Sequence, residues 1–233
     1  MKLTALLLAL PVLGLAECAH AQPAAGYEVA GQINGLPDGT HIYLINGSQR
    51  QRIDSARVQH GQFVLHGELA EPVHAYLYAG RGRGSSKLAD ILLDNRRVQA
   101  RGSQPTYDSV VVSGSDIDRQ WKEWFREDTQ LAEQRAGAGK RYLARLAQPD
   151  TTGAGLLKQQ VTLLQQARIS LLKGYVRRYH DTAAGAALPT MCTLGTSLTA
   201  ADYREMYASL APRWQQSAFG REILTQAGKR AGR

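Results

Sequence analysis

Hydrophobic and polar residues alternate along the first half of the chain and recur every three to four residues along the second. In YEVAGQI (27–33), Tyr27, Val29, Gly31 and Ile33 share one face, and the Pro-Asp-Gly of GLPDGT (35–40) is a turn. HIYLI (41–45), IDSARVQHGQFVLHG (53–67), VHAYLYA (73–79), LADILL (88–93), RRVQARG (96–102) and SVVVSG (109–114) follow, separated by turn residues. Short strands recurring about every ten residues predict an antiparallel sandwich or barrel, and short sequential turns favour up-and-down pairing over parallel crossovers. Within residues 53–67, His60-Gly61 sits where a hairpin needs positive φ, and Val58, Phe63 and Leu65 fall on the core side. Asp54 shares the side of Ala56 and Val58, placing its carboxylate to accept hydrogen bonds, whereas Ser55 points the other way. Adjacent strand residues face opposite sides, so Asp54 and Ser55 read as structure rather than as a base and nucleophile.

The period changes to 3.6 at Ser115, a good N-cap followed by Asp116 and Asp118 in the first turn. Ile117, Trp121, Trp124, Phe125 and Leu131 form an apolar stripe, with the aromatic residues predicted to dock the helices onto the β half. Gly137 and Gly139 are expected to end or kink this helix, leaving a short continuation before Pro149. A longer helix is predicted over 155–180. Thr199 caps a third toward Asp202, burying Tyr203, Met206, Tyr207 and Leu210, and a last amphipathic turn or two covers 219–224. The fold class is α+β: an antiparallel β-sandwich or barrel-like domain over 26–115, then a helical domain over 116–228. Residues 229–233 form a polar tail expected to fray.

The N-terminus changes what the mature chain is. Lys2, an apolar run over 3–15 and Ala19-His20-Ala21 make residues 1–21 a signal peptide, cleaved after Ala21. The chain is therefore expected in the periplasm or cell envelope. A lipid anchor on Cys18 is the rival, disfavoured by Glu17 just before it. Cleavage leaves Cys192 of the 2 cysteines, which rules out an internal disulfide and a C-x-x-C pair. Cys192 then reads as a small buried side chain or a free thiol. The formal net charge is +8, and residues 116–233 carry 18 Lys and Arg against 11 Asp and Glu. That excess reads as solvated faces of Arg-rich helices, ahead of an anionic lipid or acidic partner surface, and export argues against nucleic acid.

No reactive constellation emerges. AGRGRGSSKL (79–88) lacks the P-loop order, because Ser86 precedes Lys87, and its evenly spaced glycines miss the dinucleotide pattern. Arg81, Arg83 and Lys87 remain candidates for contacting an anionic group on a partner. His41, His60, His66, His74 and His180 make no helical metal pair, although His66 and His74 could approach across a sheet. There is no G-x-S-x-G. No catalytic residue, cofactor or metal is expected.

The ordered pieces resemble a family of bacterial envelope domains of unknown function. Gly31, Ile33, Gly35, Leu36, Asp38, Gly39 and Thr40 fit its first block. Ile53, Asp54, Ser55, Val58, Gly61, Phe63, Leu65 and Gly67 fit the second, followed by Glu71-Pro72 and then Val112, Gly114 and Ser115. Such domains, with a following helical segment, typically precede a thioredoxin-like domain whose C-x-x-C performs thiol–disulfide interchange. The sequence holds no such motif. The resemblance implies a non-catalytic accessory module, with a thioredoxin-like envelope protein as partner in trans. The alternatives are the front part of a truncated oxidoreductase and a small-ligand-binding envelope protein.

Overall fold

The computed structural model describes residues 26–80, 84–149 and 151–232; the signal-peptide assignment and Cys18 lie outside them. Eight strands form two four-stranded sheets: β1 Tyr27–Ile33, β2 His41–Asn46, β3 Arg52–Arg57, β4 Gln62–Gly67, β5 Val73–Ala79, β6 Ser86–Leu93, β7 Arg97–Gly102 and β8 Val110–Ser113. The orders are β4-β1-β7-β8 and β3-β2-β5-β6. The period-two pattern does what it predicted. Val29, Ile33, Ile42, Leu44, Leu65 and Leu77 are fully buried between the sheets, and their neighbours face outward.

Two pairings differ from the up-and-down expectation. β1 and β7 run parallel, Val29 opposite Val98, because the chain passes twice through the second sheet, as β2–β3 and as β5–β6, before β7 settles beside β1. The turn at His60-Gly61 has the expected positive φ, 51° and 72°, but its strands separate, β3 pairing with β2 and β4 with β1. It therefore carries the chain from one sheet to the other. Val58 and Phe63 are buried on either side of it, which is what makes the step between sheets favourable. The same separation puts His66 and His74 in different sheets, so they are not a pair.

The helices are α1 Asp116–Leu146, α2 Ala154–Arg178, α3 Ala183–Met191, α4 Ala200–Ser209, α5 Pro212–Gln215 and α6 Ala218–Ala231. Ser115 caps α1 as expected, and Thr199 with Asp202 forms a full capping box on α4. α1 runs unbroken through Gly137 and Gly139. Each glycine costs a helix about 1 kcal/mol, a penalty that antiparallel packing of α1 on α2 outweighs. α3 is buried through Ala183–Pro189 and forms the centre of the helical layer. α6 continues through residues 229–231, longer than the two turns and tail anticipated.

Candidate functional site

The outer face of the second sheet carries the densest chemistry, and its register explains why. Tyr43 on β2 lies opposite both Ser55 on β3 and Tyr78 on β5, and Tyr78 lies opposite Lys87 on β6. The next row brings Ile45, Tyr76 and Asp90 together, and the row after that His74 and Leu92. Because strand residues two apart share a face, the alternation in HIYLI and VHAYLYA collects His41, Tyr43, His74, Tyr76 and Tyr78 on one surface.

The helical layer covers one end of that surface. Trp121 of α1 lies 5.6 Å, ring centre to ring centre, from His74, and Leu92 is buried among helical side chains rather than in the sandwich core. Asp118, 2% exposed, accepts the Leu92 amide at 2.9 Å and pairs with Lys122 at 2.6 Å. Burial pushes its carboxyl up from the ordinary value, against the pull of Lys122. A second strap joins the α6 amide of Ala218 to Glu71 at 2.8 Å. Trp121 and Trp124 are buried as the seam reading expected, while Phe125 stays 40% exposed.

The sandwich, with the seam that closes it at Trp121, is the unit that decides the comparison. Residues 27–121 match the family model of a domain of unknown function, DUF4369. No curated protein and no solved structure matches the chain. The DUF4369 match ends inside α1, so it takes in the whole tyrosine surface and the seam residues Asp118 and Trp121, and stops short of Trp124.

At the β6 edge of the DUF4369 region, Asp90 is a hub. It accepts from Lys87 Nζ at 2.8 Å and from the Tyr107 hydroxyl at 2.7 Å; His74 Nε2, at 3.5 Å, is a weaker partner. Burial alone would raise the Asp90 pKa, but the donors outweigh it and bring it down to about 2. Burial and the bond to Asp90 push the Tyr107 phenol well above its ordinary value. The Lys87 ammonium also lies 4.5 Å from the centre of the Tyr76 ring and 4.9 Å from that of Tyr107. Lys87 is thus already held by one carboxylate and two rings. Arg81 and Arg83 lie outside the described residues.

Beyond the hub the face is left half-covered. His41 and Tyr43 stack with centres 5.9 Å apart, and Tyr76 meets Tyr78 edge-on at 6.2 Å. This arrangement offers flat apolar rings with polar tips, a contact surface rather than a reaction centre. Asp54, the residue beside Ser55, is turned to structural work. It accepts the amides of Ser55 at 2.7 Å and of His66 at 3.0 Å, tying β3 to β4 across the two sheets. On the opposite sheet, two depressions of about 180 and 520 Å³ share Gln32 and Arg101, and both lie open to solvent rather than enclosed.

Cys192 lies far along the chain in the helical layer. Its thiol donates to the Pro189 carbonyl at 3.4 Å, and burial pushes its pKa up to about 11. Nearby, Asp128 and Arg168 form a buried bidentate pair, both contacts 2.7 Å, joined by Thr193. Among the described residues no three His, Cys, Asp or Glu side chains converge as metal ligands. Sequence reasoning passed over Asp90, Tyr107 and the tyrosine rows. Their signal was present: aromatic residues at alternate positions of VHAYLYA, and a lone acid in the apolar run LADILL.

Proposed function

We propose that this chain is a non-catalytic binding module of the cell envelope, and that the outer face of the β3-β2-β5-β6 sheet is its contact surface. The observation that carries the reading is the double row of Tyr43, Tyr78, Tyr76 and Lys87, aligned by the strand register, half-buried, and anchored at its β6 edge by the Lys87–Asp90 contact. Rigid tyrosines with fixed rings lose little freedom on binding, which is why they serve as anchors in protein interfaces. The resemblance stated above supports a thioredoxin-like envelope protein as partner, and the N-terminal pattern supports export. Catalysis by Cys192 has no support in its surroundings. With a pKa of about 11, only about one molecule in ten thousand holds the thiolate at pH 7.

The test is calorimetric titration of a reduced thioredoxin-like envelope protein into the mature chain. One-to-one binding that Tyr43→Ser/Tyr78→Ser weakens at least tenfold, and that Cys192→Ser leaves alone, is the expected result. Absence of binding would remove the proposed partner. Disulfide reduction of insulin by the chain alone, abolished by Cys192→Ser, would overturn the non-catalytic reading.

A further inference from the structure

Asparagine or aspartate stands directly before glycine at three places in the sequence: Asn34-Gly35, Asp38-Gly39 and Asn46-Gly47. Such pairs share one spontaneous reaction. The glycine nitrogen, with no side chain beside it to obstruct the approach, attacks the side-chain carbonyl carbon of the residue before it. A fold suppresses this in two ways, by fixing the side chain in a turn and by engaging the glycine N–H in a hydrogen bond.

Two of the three pairs are held at both groups. Asn46, 8% exposed, accepts at Oδ1 from the Ser48 amide at 3.0 Å, the Ser48 hydroxyl at 2.9 Å and the Gln49 amide at 3.1 Å. The Gly47 N–H donates to the His74 carbonyl at 2.8 Å. Asp38 accepts the His60 amide at 2.7 Å, and the Gly39 N–H donates to the Val58 carbonyl at 2.9 Å. Asn34-Gly35 differs. Its backbone is anchored by the Asn34 N–H, which donates to the Gly102 carbonyl at 3.0 Å, but both residues are exposed in the turn that leaves β1. Among the described residues, no group bonds the Asn34 side chain or the Gly35 N–H. Gly35 has a φ of 81°, a conformation that favours glycine, so the turn itself keeps the reactive neighbour in place.

We propose that Asn34-Gly35 is a self-modification site, at which the asparagine is converted to aspartate and isoaspartate through a cyclic imide. The Gly35 nitrogen gives up its proton and bonds to the Asn34 side-chain carbonyl carbon, while the side-chain nitrogen takes up a proton and leaves as ammonia. Water then opens the ring. Attack at one carbonyl leaves an ordinary aspartate, and attack at the other routes the backbone through the side-chain carbon. Either product adds a negative charge to the open depression that Asn34 lines together with Arg101. The isoaspartate also lengthens the backbone by one carbon just before the buried Leu36. The site lies on the sheet opposite the tyrosine surface, so it stands independently of the contact reading.

The test is incubation of the mature chain, folded and in urea, in warm, mildly alkaline buffer. Peptide mapping by mass spectrometry follows each pair, and isoaspartyl methyltransferase labelling counts isoaspartate. In the folded chain, Asn34 is expected to lose its amide at least tenfold faster than Asn46, at about fivefold for each hydrogen bond that must open first. In urea the two asparagines should react at comparable rates. Asn34→Gln should remove most of the methyl label from the folded chain, because the longer side chain closes its ring far more slowly. Three results would overturn the proposal: Asn34 unchanged in the folded chain while it reacts in urea, Asn46 keeping pace with it in the folded chain, or an undiminished label in Asn34→Gln.

Discussion

Asp90 draws its character entirely from its neighbours, and that makes it testable by pH. Its pKa in the fold is lowered from 3.8 to about 2 because the donors Lys87, Tyr107 and His74 outweigh the effect of burial. A carboxylate depressed in this way contributes stability that is complete above the unfolded value and lost as pH falls through the folded one. Asp90→Asn is expected to cost on the order of 1 kcal/mol at pH 7, after solvent screening, with the difference from wild type vanishing between about pH 4 and pH 2. Urea titrations across that range would show it; a difference that persists at pH 2 would contradict the assignment. Cys192 gives a second prediction of the same kind. Its thiol, raised from 9.0 to about 11, should react with iodoacetamide at pH 8 about a hundredfold more slowly than an ordinary cysteine, and unfolding should restore the rate. Fast alkylation of the native chain would show the pocket to be open.

Among the elements, legibility followed the amount of water each one touches. β1 and β2 alternate because one side of each is buried and the other is not, so Val29, Ile33, Ile42 and Leu44 could be placed from period two alone. α4 announced its start because Thr199 and Asp202 satisfy the free amides of its first turn. α3 was invisible for the opposite reason. Buried on nearly every side, AAGAALPTM has no polar face to set a period, and Pro189 reads as a breaker although it stands near the helix end. The parallel β1–β7 pair was equally hidden, since pairing between distant strands leaves no local mark in either. The tyrosine face was half-legible: alternation groups its rings within a strand, but only the register of β2, β5 and β6 brings the rows together. Continuity of α1 yields a direct check. A methyl group at Gly139 would meet nothing within 4 Å, so Gly139→Ala should raise stability by about 0.5–1 kcal/mol in thermal or urea unfolding. A loss of stability would mean that the helix does not run straight through that position.

At the scale of the whole molecule, the sandwich and the helices share a boundary too well made for independent parts. The Leu92 amide, Asp118 and Lys122 form a buried chain of contacts across it, and Trp121 closes it over His74. Removing the carboxylate would leave a buried amide and a partly buried ammonium without their acceptor, so Asp118→Ala should cost about 3 kcal/mol. In the wild type, slow-exchanging amides of β5 and of α2 are expected to open with the same free energy, as one cooperative unit. Different values would separate the two layers. This shared boundary is also what holds the tyrosine rows in a fixed relation to the helices, and the contact surface is the claim on which the functional account rests. The measurement that reaches it most directly is the titration of a reduced thioredoxin-like envelope protein into the wild-type chain and into Tyr43→Ser/Tyr78→Ser. One-to-one binding is expected, weakened at least tenfold by the double substitution without a change of more than a few degrees in the thermal midpoint. Binding of equal strength to both proteins, or none to either, would contradict it.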